Sequence, residues 1–231
     1  MAKGGYVVDM QNLDITHFKA VVFDWDNTLA QSTPPLTYAV NRVLKTYHLP
    51  CWNIIKQKRD TNLSFRDNFP ILFGKDANAA YSQYKHIYLQ AVGKMISRTP
   101  YASEVLHFFK KRYIPIFLMT SKDRELLEFE LPMLFEPEYF DCIVCGHEAE
   151  KDKPHGDHLM YTLNHCASNK PLCPKDVLVV GDSPQDSACA VSCGATAVII
   201  GRDVTSEQSS NDANIMYFDS FVDFYQSLLL S

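Results

Sequence analysis

Two aspartates separated by one residue, Asp24 and Asp26, follow directly on the apolar run Val21-Val22-Phe23. An apolar run rich in β-branched residues reads as a buried strand, and carboxylates at its exit are costly to bury unless paired, hydrogen-bonded or coordinated. They ask for a cation. Mg²⁺ suits them, because it takes hard oxygen ligands and is held by one or two carboxylates together with water and substrate phosphate. Alone, the pair could equally be a polar strand exit facing water. Three further groups make the case for a site. Thr120 and Ser121 follow the apolar stretch Ile114 to Met119, and Lys153 lies in a charged loop after an apolar stretch at 140–144. Gly181-Asp182-Ser183, with Asp186 one helical turn on, follows Val177-Leu178-Val179-Val180. Singly, each has a plainer reading: a threonine that caps a turn, a solvated lysine, an ordinary Gly-Asp-Ser-Pro turn.

The elements that must position these residues follow from the hydrophobic pattern. A strand is expected from Lys19 to Asp24 after a weakly structured lead-in over residues 1–17. From Pro34 to about Ser97 the pattern is helical, with candidates at 36–48, 64–72 and 76–95; the last carries Tyr81, Tyr84, Tyr88 and Val92 at helical spacing, a packing face. After Pro100, strand and helix alternate. A helix capped by Ser103 is followed by strands at 114–119, 140–144, 177–180, 196–200 and 215–218, separated by helices at 124–134, 157–166 and 185–193. A last helix covers 219–230. This alternation predicts an α/β fold, a parallel sheet covered on both faces by helices, with residues 1–32 and 99–231 as the core and 33–98 as an inserted helical unit. In such sheets ligands bind outside the carboxyl ends of the strands, and there the four polar groups fall.

Composition narrows the partners. The 231 residues are 46% hydrophobic and 21% charged, with a net charge of −5 and no basic run. That is the profile of a globular protein without a nucleic-acid footprint. No stretch approaches the roughly 20 apolar residues of a membrane span, and the first residues lack the apolar centre of a secretory signal. The seven cysteines are therefore expected as reduced thiols of a cytoplasmic protein, with Cys189 and Cys193 in a helical core position. Cys142, Cys145 and His147 have no second cysteine pair at finger spacing, which argues against structural zinc.

Asp24-Trp25-Asp26-Asn27-Thr28, Thr120, Lys153-Pro154 and Gly181-Asp182-Ser183-Pro184-Gln185-Asp186, in that order, resemble the four signature motifs of the haloacid dehalogenase superfamily. The helical insert between the first two is similar to the cap of its phosphoglycolate phosphatase and β-phosphoglucomutase branch. The resemblance spans about residues 18–229 and implies a Rossmann-like core. It implies Asp24 as the nucleophile that forms a phospho-aspartate. Asp26 would be the acid and base that protonates the leaving oxygen and then takes a proton from water. Mg²⁺ would be held by Asp24, Asp182 and the main-chain carbonyl of Asp26, with Asp186 orienting a metal-bound water or Lys153. Thr120, Lys153 and main-chain N–H groups near Trp25 and Ser121 would hold the phosphate. In the cap, Arg66, with Ser64 two residues before it, stands where related caps present an arginine to the substrate; Arg59 and Lys56 are lesser candidates.

The chain departs from the related pattern at Asn62-Leu63, at Ala102-Ser103 and at His155-Gly156-Asp157, none of which touches the expected chemistry. A dehalogenase is disfavoured by Asp26, and a phosphonatase by the lack of a placeable cap lysine. The expected function is Mg²⁺-dependent hydrolysis of a small phosphorylated metabolite such as phosphoglycolate, a sugar phosphate or a nucleotide. The alternatives are a phosphomutase or a binding protein on the same fold.

Overall fold

The computed structural model describes residues 13–52, 68–166, 171–201 and 213–231. In chain order the elements begin with β1 (Ala20–Phe23), β2 (Ala30–Gln31), α1 (Thr33–Thr46), α2 (Asn68–Phe73), α3 (Ala77–Met95) and β3 (Ser97–Arg98). They continue with α4 (Ala102–Lys111), β4 (Ile116–Met119), α5 (Arg124–Leu134), β5 (Cys142–Val144) and α6 (Gly156–Cys166). The last are β6 (Val177–Gly181), α7 (Pro184–Ser192), β7 (Thr196–Ile200), β8 (Ile215–Phe218) and α8 (Phe221–Leu229).

Six strands form one sheet in the order β5-β4-β1-β6-β7-β8, and every neighbouring pair is parallel. Successive side chains of a strand point to opposite faces, so each strand feeds two cores. Val21 and Phe23 join Leu106, Phe109, Leu178, Val180 and Phe224 on the face covered by α4, α5 and α8. Ala20 and Val22 join Leu159, Leu163, Val179, Cys189 and Ala190 under α6 and α7. Burial on both sides is why these strands read as unbroken apolar runs. The chain runs from β1 to β4 and β5 on one side, and β6 leads to β7 and β8 on the other. The order therefore reverses between β1 and β6, and the crevice lies at their carboxyl ends.

Helices α1, α2 and α3 enclose a third cluster, with Leu36, Val40, Val43, Phe69, Phe73, Tyr84, Tyr88 and Val92 buried and Leu126 of α5 joining it from the core. The short antiparallel pair β2–β3 ties the two stems of this insert together, Ala30 opposite Arg98 and Gln31 opposite Ser97. A two-residue ladder leaves no periodic pattern in the sequence, and none is anticipated there.

Three expectations are corrected. Helix α1 begins at Thr33, not after the two prolines, because proline fits the first turn of a helix, where its missing N–H is not needed. Ser103 does not cap α4, which starts at Ala102; its hydroxyl accepts from Arg98 Nη1 at 3.1 Å. The cysteines are not all reduced core thiols. The fold brings the start of β5 and the end of α6 together, and Cys142 and Cys166, with Cα atoms 5.6 Å apart, form a disulfide. Cys51 and Cys173 are exposed, whereas Cys145 and Cys189 are buried. Among the described residues no helix is long and apolar enough to cross a membrane.

Candidate active site

Asp24 is the first residue beyond β1. Its N–H still donates to Val180 O at 2.9 Å, so the carboxylate is carried at the very end of the β1–β6 pair. The side chain is nearly enclosed, with 6% of the residue exposed. Thr28 Oγ1 donates to Asp24 Oδ2 at 3.0 Å, and Lys153 Nζ donates to Asp24 Oδ1 at 2.5 Å. Lys153 is itself buried, and its remaining protons go to Asp186 Oδ1 at 2.7 Å and Met119 O at 3.2 Å. An ammonium has three protons, and here all three have partners. The carboxylates of Asp186 and Asp24 outweigh the effect of burial on Lys153 and keep it charged.

Asp182 extends from the end of β6. Asp24, Asp182 and Asp186 each present a carboxylate oxygen within 4.8 Å of the others. Burial, then the charge of its neighbours, pushes Asp182 well above the usual carboxylate range. Burial likewise pushes Asp24 up to about 7, with Lys153 opposing and Asp186 and Asp26 adding. Ionised together, three carboxylates exceed the charge of the one ammonium beside them, and a hard divalent cation is what such a donor set accommodates. Asp186 is fixed from behind: Ser183 N–H and Ser183 Oγ donate to its Oδ2 at 3.1 and 2.6 Å. This capping of α7 sets the carboxylate against Lys153.

Thr120 follows β4 and is buried. Its N–H donates to Val144 O at 3.0 Å, and its hydroxyl accepts from Lys122 N–H at 3.1 Å. The hydroxyl proton is not used in that bond. Beside it, Ser121 Oγ is buried with no hydrogen-bond partner. Gly146 packs against this turn so closely that a Cβ would lie 2.5 Å from Ser121 O. The β4 exit and the loop after β5 thus approach at backbone distance. Lys153 is placed by that same loop, and its N–H donates to His158 Nδ1 at 3.3 Å.

Asp24, Asp26, Thr120, Ser121, Lys153, Asp182 and Asp186 thus all lie at the carboxyl end of the sheet. The side chain of Trp25 turns the other way, into the core, where Nε1 donates to Glu130 Oε2 at 2.7 Å. Ser64, Arg66, Arg59 and Lys56 lie outside the described residues. Sequence reasoning missed Lys122 and Glu130. Lys122 Nζ lies 2.8 Å from Asp26 Oδ1 and 2.7 Å from both Glu130 oxygens, and it donates to Tyr88 OH at 3.1 Å. Burial works against its charge, but Asp26 and Glu130 more than offset it. A signal was present: Glu130 sits among Leu127, Leu131 and Leu134 on the apolar face of α5, where an unpaired glutamate would be costly.

Residues 21–200 match the family model described as haloacid dehalogenase-like hydrolase. Among curated relatives, the chain is 25% identical over 198 residues to a phosphoglycolate phosphatase of Chromobacterium violaceum, covering 82% of this chain and 87% of that one. It is 29% identical over 182 residues to a phosphorylated carbohydrates phosphatase of Thermotoga maritima, covering 76% and 82%. Among solved structures, CbbY of Rhodobacter sphaeroides in complex with phosphate superposes with a TM-score of 0.76 at 17% identity, over 88% of this chain and 95% of that one. A mutant of the same protein in complex with xylulose-1,5-bisphosphate matches equally well.

Proposed function

The chain belongs to the haloacid dehalogenase-like hydrolase family, and from that premise we propose that it is a Mg²⁺-dependent phosphatase of small phosphate monoesters that works through a phospho-aspartate at Asp24. The observation that carries this reading is the Asp24–Lys153–Asp186 chain set beside Asp182 at the β1–β6 reversal. A nucleophilic carboxylate needs a fixed orientation and neutralisation of the anion it approaches, and these groups supply both. The phosphatases among the curated relatives, which act by name on phosphoglycolate and on phosphorylated carbohydrates, support the substrate class.

An Asp24 oxygen attacks phosphorus, the bond from phosphorus to the ester oxygen breaks, and Asp26 gives that oxygen its proton. Water then attacks the same phosphorus while Asp26 takes its proton, and Asp24 leaves as the free carboxylate. Lys153 and the Thr120 hydroxyl offset charge on the transferring group, with main-chain N–H groups near Trp25 and Ser121 completing the cradle. Asp24, Asp182 and the Asp26 carbonyl would hold Mg²⁺, and Asp186 would steady Lys153 and a metal-bound water. The ion supplies charge neutralisation and a fixed place for the phosphate when bound. The helical insert, residues 33–98, serves as a cap that excludes water, and Ser64 and Arg66 read the remainder of the substrate. Cytoplasmic residence belongs to this reading and rests on the sequence alone.

Phosphate release from a panel of phosphomonoesters, with Mg²⁺ or with chelator, tests the proposal. Release that needs the metal and is lost in Asp24→Asn is the expected result; metal-independent release, or full activity in the variant, contradicts it. Absence of release combined with isomerisation of a glucose phosphate would identify a phosphomutase instead.

A further inference from the structure

We propose that Lys122 is a positioning residue of this reaction, holding Asp26 from a buried tripod whose third leg comes from the helical insert. The inference rests on the phosphatase reading above.

The ammonium of Lys122 is directed to three partners: Asp26 Oδ1, the Glu130 carboxylate and Tyr88 OH. Its hydrogen bonds go to Tyr88 OH and the two Glu130 oxygens, which fix the group, and Asp26 Oδ1 is held 2.8 Å away as an ion pair. Glu130 is fully buried and is held a second time by the indole of Trp25. The chain between the nucleophile and Asp26 is therefore gripped twice, at residue 25 through its side chain and at residue 26 through its carboxylate. Both grips converge on the same glutamate.

Stability alone is weak ground for such an arrangement. Burying a lysine with a glutamate sacrifices hydration that apolar residues of the same size would not have to give up. What the pair does here is end on one accessible group. The Asp26 side chain is 30% exposed against 6% for Lys122 and 0% for Glu130. Its Oδ1 is buried 2.8 Å from the ammonium, an ion-pair contact that is not a hydrogen bond. The other edge of the carboxylate, with Oδ2, is thereby left for the site. Lys122 fixes which oxygen of Asp26 meets the ester and where.

Two variants and a spectroscopic readout test this. Lys122→Met combined with Glu130→Gln removes the ion pair without leaving a charged Glu130 buried and unpaired, and the glutamine still accepts from Trp25. Tyr88→Phe removes a single hydroxyl. The expected result is a folded double variant with kcat lowered roughly 10²-fold and KM changed less than about threefold, since only orientation is lost. Tyr88→Phe lowers kcat by a smaller factor and shifts the NMR resonance of the Trp25 indole proton, which reports Glu130. A purely structural tripod would lower melting temperatures and leave kcat at the wild-type value in both variants, and that outcome overturns the proposal. If the wild-type chain hydrolyses no ester, the phosphatase reading fails separately. The tripod is then judged on the indole resonance, and one unmoved by Tyr88→Phe overturns it too.

Discussion

Thr120 shows how much of the site depends on single hydrogen bonds. Its buried hydroxyl accepts from Lys122 N–H, and in the proposed reaction its own proton serves a phosphate oxygen. Thr120→Val preserves the shape of the side chain and removes that donor. Steady-state kinetics should show kcat/KM reduced roughly 10²-fold, while the melting temperature reflects a loss of about 1 kcal/mol for the unpaired N–H. Unchanged kinetics would remove Thr120 from the chemistry. At this scale the site was legible wherever a polar residue ends an apolar strand, as with Asp24, Thr120 and Asp182. Lys122 was not legible in the same way. A lysine three residues past a strand end looks solvated, and only the fold brings Glu130 from α5 and Tyr88 from α3 to meet it.

The turns at the carboxyl ends of the strands hold the side chains in register. Gly181 closes β6 directly against Asp186, and a Cβ there would collide with the Asp186 side chain. Asp186 is pinned by Ser183 and Lys153 and has nowhere to retreat. Gly181→Ala should therefore displace the Lys153 partner, lowering kcat at least tenfold and destabilising the fold by roughly 1–3 kcal/mol. Wild-type values in both measurements would contradict the tight approach. The Lys153 loop is anchored by His158, which burial holds down to about 4. A histidine that binds its proton less readily folded than unfolded stabilises the fold above its usual value. That contribution is lost as the pH falls from about 6.5 towards 4. Unfolding free energies measured across that window should drop by up to a few kcal/mol, at about 1.4 kcal/mol per pH unit. His158→Asn, which keeps an acceptor for Lys153 N–H and does not titrate, should flatten the decline; an unaltered slope would assign it to other groups. Long apolar strands such as β6 and β7 were visible in the sequence, whereas the two-residue ladder β2–β3 was too short to leave a pattern.

Across the whole molecule, the insert meets the core along one face of α3. Tyr81 OH donates to Asp123 Oδ2 at 2.9 Å, Lys85 pairs with Glu125 at 2.6 Å, and Tyr88 meets Lys122. These residues fall three and four apart, the spacing of neighbours on a helix face. The alternation of elements made the layered α/β architecture readable, but pairings between distant segments, the Cys142–Cys166 disulfide among them, depend on a completed fold. On the proposed role of the insert as a cap that reads the substrate, Arg66→Ala should change the ranking of phosphomonoesters, weakening chiefly those with a second anionic group. An unchanged profile would remove Arg66 from recognition. In the proposed reaction Asp24 carries the phosphoryl group. That step is tested most directly by quenching turnover in acid, reducing with borohydride and locating the product by peptide mass spectrometry. Residue 24 should be reduced to homoserine, dependent on substrate and absent in Asp24→Asn. Steady metal-dependent phosphate release with residue 24 never trapped, or with another residue trapped in its place, would contradict it.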